Sequence, residues 1–428
     1  MIVNCAIAKI WIRSLGCKVN LADISSLVSC LPSDRFIIVR DPREATLAVL
    51  NTCTVTHKAD SDVRKILGGL QRDYPQLPVI VTGCGAATEG FELSRFSNVR
   101  GVMAFGDREA LLEAIGGTCF TPAQTQTSPY HRLGRQRAIV KLQDGCNTRC
   151  TYCVVPLVRG PERSVPYNEV CDQIRFLLDA GHREIVLSGI HLGRYGRDLT
   201  PSITLINLLQ WISHLPGLGA SFRIRLSSIE PMELTRELVA QLAEMPGVCP
   251  HFHVPLQSGD DEVLARMGRP YRSREYIEII DQLAKHFPDA AIGTDVMVGF
   301  PGETPTAARN TLRVVRLLPL TYLHVFTFSA RKGTRAATFP ERVSPEQIRE
   351  HSKTLRDEGA RRWHAFLNDG INKKHQIVVE RMRKRYFGGR SERYRPVRFN
   401  ASEVQIGQLL WVRTETMDSD ALIGVPCV

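Results

Sequence analysis

Cys146, Cys150 and Cys153 follow one another as C-x-x-x-C-x-x-C within KLQDGCNTRCTYCVVPLVRGPERS, residues 141–164. Thiols this close on one loop can converge on a single inorganic centre. A four-iron cluster ordinarily takes four thiolates, so three leave one iron without a protein ligand. An open coordination position is where substrate or cofactor binds, by the logic that separates catalytic from structural zinc. Two plainer alternatives stand beside this one. A zinc site would want a fourth Cys or His at close spacing, and none follows Cys153 before Cys171 and His182. The thiols could also simply be scattered core residues.

The loop comes directly after an apolar run, 138–142, that reads as a strand. In sequence and spacing it resembles the signature loop of the radical SAM enzymes, in which the open iron is chelated by S-adenosylmethionine. Past it, strand patterns at 138–142, 184–187, 222–226, 251–256, 292–298 and 322–328 alternate with helical patterns at 167–180, 205–214, 236–244, 274–286 and 306–317. Such alternation predicts a parallel sheet with crossover helices. Six units are too few for a closed eight-stranded barrel, so a partial (β/α)6 barrel is expected, the fold the resemblance also implies. Barrels of this kind do chemistry at the carboxyl ends of their strands, which here read QDGC, SGIHLGRYG, SSIEP, PLQSGDD, VGFPGET and FSARKGT. Candidates for holding S-adenosylmethionine are Ser188 with Gly189, Arg225 with Ser227, and Gln257 with Ser258; ordinary turn chemistry is the alternative for each. Tyr152 stands where radical SAM enzymes commonly place an aromatic residue near the adenine.

Upstream, residues 1–120 read as an α/β unit. Apolar segments at 46–50, 79–82 and 102–105 predict buried parallel strands, with helices at 57–74 and 107–115. Cys17, Cys53 and Cys84 fall at strand ends or in loops, where parallel α/β sheets carry ligands. Their contexts, SLGCKVN, NTCTVTHKAD and VTGC, resemble the N-terminal domain of the methylthiotransferases, whose three such cysteines hold a second iron–sulfur cluster. The third motif departs from that family, continuing Gly85-Ala86-Ala87 where Tyr-Ala-Gln is usual. Cys5, Cys30, Cys119, Cys171, Cys249 and Cys427 match no motif and read as structural or incidental.

The 428 residues, 43% hydrophobic and 23% charged, allow two to four domains at about 100–200 residues each. No apolar run approaches the roughly 20 residues that cross a bilayer. The N-terminus lacks the basic start and cleavage site of a signal peptide, so a cytoplasmic protein without a membrane partner is expected. There, twelve cysteines are ligands or buried thiols rather than disulfides. The net charge of +11 favours a polyanionic partner. A polar linker is read at 121–136, the radical SAM core at 137–366, and a charged helix at 345–367 leaving it. Residues 367–428 follow as a small β-rich module with strand patterns at 375–380, 397–399 and 409–414. There basic residues interleave with Tyr386, Phe387, Tyr394 and Phe399, a mixture suited to phosphate contacts and base stacking. Position and length resemble the TRAM domain, an RNA-binding β-barrel.

The expected whole is an α/β multidomain chain: parallel-sheet cluster domain, radical SAM barrel and TRAM-like barrel. Its motifs look most like the MtaB type of methylthiotransferase. That resemblance implies methylthiolation of N6-threonylcarbamoyladenosine at tRNA position 37, with two [4Fe–4S] clusters and S-adenosylmethionine. The cluster on Cys146, Cys150 and Cys153 would reduce S-adenosylmethionine to a 5′-deoxyadenosyl radical. The cluster on Cys17, Cys53 and Cys84 would carry sulfur for methylation by a second S-adenosylmethionine. Implied partners are the tRNA anticodon stem-loop and a small reducing protein such as a flavodoxin or ferredoxin. Arg331 and Lys332 are candidates to meet the threonyl carboxylate. Alternatives are a methylthiotransferase for isopentenyladenosine or for a ribosomal protein, and a non-catalytic iron–sulfur RNA-binding protein.

Overall fold

Short runs of Val, Ile, Leu and Ala buried on both faces become parallel strands covered by helices, and the first half of the chain follows that rule. The computed structural model describes residues 7–104, 106–116, 127–383 and 386–427, with only the backbone at 89–91. Cys5, Cys119 and residues 121–126 of the expected linker lie outside these residues; the rest of that stretch is not a bare linker, since it holds a short helix, Pro129–Arg132, with Tyr130 buried. By its contacts the chain divides into two units: residues 1–135 with 154–160, and residues 136–153 with 161–428.

In the first unit, β1 (Ala8–Ser14), β2 (Phe36–Val39), β3 (Leu47–Thr52), β4 (Val79–Gly83) and β5 (Val99–Val102) form one sheet ordered β2-β1-β3-β4-β5. All neighbours are parallel. The third expected strand, at 102–105, is displaced. Val79 pairs with Val99 and Val81 with Val102, while the Val79 amide already bonds the Asn98 carbonyl. Pairing therefore begins three residues earlier, and the apolar Met103 belongs to the strand's exit. The helix Lys18–Ser29 and strand β1 had no expectation, because the apolar content of 1–31 has no clear period; nor had β2, a run of four residues. Thr56 caps the helix His57–Asp73, and Asp107 caps Arg108–Ala114, each through a side-chain oxygen on an otherwise orphaned amide.

In the second unit, β6 (Ala138–Asp144), β8 (Glu184–Gly189) and β9 (Arg223–Leu226) run parallel, with β7 (Arg163–Ser164) antiparallel on the free edge of β6. A second sheet holds β10 (His251–His253), β11 (Ala291–Val298) and β12 (Tyr322–Thr327), also parallel. Single bridges, Ile224 to Val248 and Ser228 to His253, join β9 to the second sheet. Six parallel strands thus curve into a partial barrel, and β6 and β12 are not paired with each other. Three of the crossover helices begin on capping residues: Thr204, Thr235 and Thr304 each accept an amide three residues on.

The helix Pro345–Asn368 leads into a closed five-stranded barrel of β13 (Lys374–Arg383), β14 (Tyr386–Ser391), β15 (Pro396–Phe399), β16 (Leu409–Asp418) and β17 (Ala421–Pro426). Its order is β13-β14-β15-β17-β16. Closure removes every free edge. Phe387 and Phe399 stack inside it with centroids 5.9 Å apart. They are core residues, leaving Tyr386 as the exposed aromatic of the four expected to stack on bases.

This small barrel is tied to the larger one by a buried charge network. Glu184 is fully buried and accepts from Arg223 Nε at 2.7 Å and Arg225 Nε at 2.7 Å, with Arg137 at 3.6 Å. The outer nitrogens of the two arginines reach into the small barrel. Arg223 donates to the Gln376 and Arg390 carbonyls, and Arg225 to those of Ser391 and Glu392. Tyr394 follows in a left-handed conformation (φ 66°) and stacks on His251 at 4.3 Å. Burial alone would raise the Glu184 pKa, but three guanidiniums outweigh it and hold the carboxyl well below its ordinary value. With a folded pKa below the unfolded value of about 4.3, the stabilisation is complete at neutral pH and is lost as acid protonates the native carboxylate. Glu184→Gln should destabilise the second unit by about 3–5 kcal/mol, the usual cost of leaving buried charges unpaired. A urea midpoint equal to that of the parent would refute this.

Candidate functional sites

In the first unit the three cysteines stand at the carboxyl ends of three adjacent strands. Cys17 follows β1 and caps the helix Lys18–Ser29; Cys53 follows β3; Cys84 opens the helix Cys84–Leu93 directly after β4. The sheet order 2-1-3-4-5 reverses direction between β1 and β3, and ligands of open α/β sheets bind outside the strand ends at such a point. One side chain organises the place. Asn20 Nδ2 donates to the Leu15 and Thr52 carbonyls at 2.9 and 3.0 Å, clamping the ends of β1 and β3. Its Oδ1 faces the Cys17 thiol at 3.6 Å and the Cys84 thiol at 3.8 Å. Cys53 lies beside them: a Cβ placed on Gly16 would stand 2.8 Å from Cys53 Cβ and 3.1 Å from Asn20 Nδ2. The Gly85-Ala86-Ala87 departure continues the helix that Cys84 begins.

Burial raises the Cys53 thiol above its ordinary pKa and pushes Cys84 to about 11, although the Arg159 guanidinium opposes the second shift. Such thiols do not ionise unaided at neutral pH, so a metal core must displace their protons. Three free, convergent sulfurs fit an iron–sulfur group.

In the second unit, Cys146, Cys150 and Cys153 are half-buried on the loop after β6. The loop is held by its own side chains. Gln143 Nε2 donates to the Asp144 and Gly145 carbonyls, and its Oε1 accepts the His191 amide. Asn147 and Glu162 exchange bonds, each amide donating to the other's side chain at 3.2 Å. Thr151 donates its amide to Met267 and its hydroxyl to Arg266.

His191 Nδ1 stands 3.7 Å from Cys146 Sγ, and its Nε2 stands 3.1 Å from Glu233. Burial disfavours the charged ring, but the bonds with Cys146 and Glu233 outweigh it and lift its pKa to about 9. With Nε2 engaged by Glu233, Nδ1 is the ring atom turned to Cys146, placed to donate to a thiolate there. Arg269 Nη1 donates to Cys150 Sγ at 3.4 Å and is anchored by Glu230. All-sulfur donors with cationic neighbours fit an anionic cluster.

Around that loop the expected cofactor contacts divide. Ser188 and Gly189 end β8; a Cβ on Gly189 would crowd Leu192 and Gln143 at 3.3–3.4 Å. Ser227 is buried with no partner for its hydroxyl, an orphan that a ligand would satisfy. Gln257 is held at φ 64° between the Asp295 carbonyl and the Met297 amide, a strain typical of ligand clamps. Tyr152 packs edge-on against Phe300, centroids 6.4 Å apart.

Two expectations change. Arg225 is fully buried and its guanidinium is taken up by Glu184 and the small barrel's carbonyls, so it is a docking residue. Ser258 bonds Thr311 and the Asp260 amide, which is turn chemistry. Arg331 is buried while Lys332 is exposed.

Asn20, His191 and Arg269 had no expectation. Asn20 and Asp23, two polar residues three apart on an otherwise apolar helix face, were the available signal for the first. His191 lay in the segment SGIHLGRYG, and Arg269 had no signal beyond its charge.

Residues 140–315 match the family model described as the Radical SAM superfamily, and residues 9–104 match one described as uncharacterized protein family UPF0004. Among solved structures, the radical S-adenosylmethionine methyltransferase TsrM of Kitasatospora setae is similar in fold. Its TM-score is 0.56 at 16% identity, covering 77% of each chain. Over this region the protein therefore has the fold of the radical SAM enzymes.

The threonylcarbamoyladenosine tRNA methylthiotransferase MtaB of Chlamydia pneumoniae is 30% identical over 412 residues, 96% of both chains. The MtaB of Rickettsia prowazekii is 32% identical over 385 residues, 86% of this chain and 87% of that one. A tRNA-2-methylthio-N(6)-dimethylallyladenosine synthase of Clostridium botulinum is 30% identical over 444 residues, 98% of this chain and 97% of that one. The chain belongs to the radical SAM tRNA methylthiotransferase family, transferases that use S-adenosylmethionine and [4Fe–4S] clusters. Among the described residues, no helix is long and apolar enough to cross a membrane.

Gly16 tests the first site's geometry. At φ 95° a side chain costs roughly 1–3 kcal/mol, and the added methyl of Gly16→Ala would also press on Cys53. With Cys146, Cys150 and Cys153 replaced by Ala, so that only the first site can bind, Gly16→Ala should lower iron per chain. Undiminished iron would refute the convergence.

Proposed function

We propose that this protein methylthiolates C2 of the adenine in N6-threonylcarbamoyladenosine at tRNA position 37, giving the 2-methylthio derivative. The observation that carries the reading is two separate sets of three cysteines in one chain, one at the ends of three adjacent strands and one on a single loop after β6. An aromatic C–H bond offers no acidic proton to a side-chain base, so its replacement by C–S calls for cofactor-borne radical chemistry and a sulfur donor. Bound clusters and S-adenosylmethionine would supply a 5′-deoxyadenosyl radical at Cys146, Cys150 and Cys153 and a methylated sulfur at Cys17, Cys53 and Cys84. The chain's own share is positioning. Ser188, Gly189, Ser227, Gln257 and Tyr152 would hold S-adenosylmethionine, while His191 and Arg269 stabilise the thiolates beside them.

A polar cluster supports the threonylcarbamoyl substituent over an apolar prenyl one. Leu323 faces the helix Pro345–Asn368, where a Cβ on Gly359 would meet it at 3.2 Å, so His324 next to it faces the barrel interior. There His253 and His324 both contact Asp295 Oδ1, at 2.9 and 3.2 Å, and His253 Nδ1 meets the Tyr322 hydroxyl at 3.2 Å. His324 is 55% exposed. This wall offers hydrogen bonds to a carboxylate or hydroxyl and little to a prenyl chain. For the RNA itself, a groove of about 930 Å³ beside the small barrel is lined by Arg381, Arg383, Arg398 and Tyr386 among others. Such a lining suits the phosphates of an anticodon stem-loop. A flavodoxin or ferredoxin in the cytoplasm would supply the electrons.

Two outcomes separate the sites. Cys150→Ala should abolish S-adenosylmethionine cleavage; Cys53→Ala should keep cleavage and lose thiolation. Methylthiolated tRNA from the Cys53 variant would overturn the sulfur-carrier role. Mass spectrometry of tRNA nucleosides from a deletion strain should show loss of the methylthio-threonylcarbamoyl form alone. His324→Ala should raise KM for threonylcarbamoyl tRNA about tenfold, near the roughly 1.5 kcal/mol of a hydrogen bond to a charged group. An unchanged KM would remove His324 from recognition.

A further inference from the structure

Arg159 is not a cluster ligand by type and lies six residues beyond Cys153, yet it belongs to the first unit. The helix that carries it, Val155–Arg159, packs there against Cys84–Leu93. Its Nη2 stands 2.5 Å from Asn20 Oδ1 and 3.0 Å from Asp23 Oδ2. Asn20 Oδ1 is the same atom that faces the Cys17 and Cys84 thiols. The guanidinium is 7% exposed and the Asp23 carboxylate 1%. A buried ion pair adds little net stability, since desolvation offsets most of its attraction. Its value lies in fixing a cation where water is excluded and the field is strong.

The second site repeats the arrangement independently. Arg269 meets Cys150 and is anchored by Glu230. An iron–sulfur core bound by thiolates is anionic and gains a further negative charge on reduction. A fixed cation beside it therefore favours the reduced form, and hydrogen bonds and charge near the sulfurs are among the protein's means of setting cluster potential.

We propose that Arg159 is a positioning residue of the Cys17, Cys53 and Cys84 site. Held by Asp23 and Asn20, it fixes the frame shared by the thiols and raises the reduction potential of the iron–sulfur group bound there. The proposal rests on the reading that these three cysteines hold such a group.

The test uses the full chain with Cys146, Cys150 and Cys153 replaced by Ala, reconstituted with iron and sulfide. Iron per chain is measured, and the midpoint is followed by redox titration with electron paramagnetic resonance. If this parent binds no iron, the underlying reading fails, which is distinguishable from failure of the proposal. With iron bound, Arg159→Gln should move the midpoint to a more negative value, and Arg159→Lys, which keeps the charge, should restore most of the difference. Full iron with an unmoved midpoint in Arg159→Gln overturns the proposal. If Arg159→Gln loses iron, Arg159→Lys decides. Recovered loading supports the need for a cation at this point, and equal loss overturns it in favour of shape alone.

Discussion

Glu184 is the constraint on which the second unit depends. A carboxylate with no access to water is tolerable only if cations surround it, and Arg137, Arg223 and Arg225 do so. Two of these arginines then have donors left over with no solvent to receive them. The carbonyls at 376 and 390–392 of the small barrel take them up. The small barrel is thus joined through backbone acceptors, which any sequence would supply, and its specificity resides in the inward-facing charges of β8 and β9. Tyr394, left-handed and stacked between His251 and the Arg390 guanidinium, completes the joint from the other side.

The same economy of means appears where chemistry is placed. In the first unit no dedicated loop builds the cysteine site; parallel strands must end somewhere, and β1, β3 and β4 end side by side. Asn20 turns that coincidence into a site by bonding two strand ends with its amide nitrogen and presenting one oxygen to the thiols. In the second unit Gln143 does the corresponding work, holding the loop's first turn to His191 in the loop after β8. A primary amide suits both positions because it donates and accepts at once and carries no charge to disturb the metal ligands.

The large features were legible because they rest on local rules. Alternating apolar runs and capped helices define the six barrel strands and the crossover helices, and close cysteine spacing marks the loop at 146–153. What escaped depends on distance in sequence. Arg225 looked like a ligand-binding residue because it stands near a strand end on the inward face; its actual partners, Glu184 and Ser391, lie 41 and 166 residues away. Phe387 and Phe399 looked like base-stacking residues, but barrel closure turns them inward. The displaced β5 shows the same limit, since apolarity finds the segment while pairing with β4 decides its bounds.

Charge pairing is the thread that connects the joint with the two sites. Each set of three cysteines has one buried arginine at its side, and each arginine is held by one carboxylate: Arg159 by Asp23, Arg269 by Glu230. A planar guanidinium clamped at one edge keeps its remaining donors aimed. Each carboxylate balances its arginine, so neither buried cation is left uncompensated within the protein. Each guanidinium is thus fixed on one edge by a carboxylate and turned on the other toward a cysteine set, directly at Cys150 and through Asn20 Oδ1 at Cys17 and Cys84.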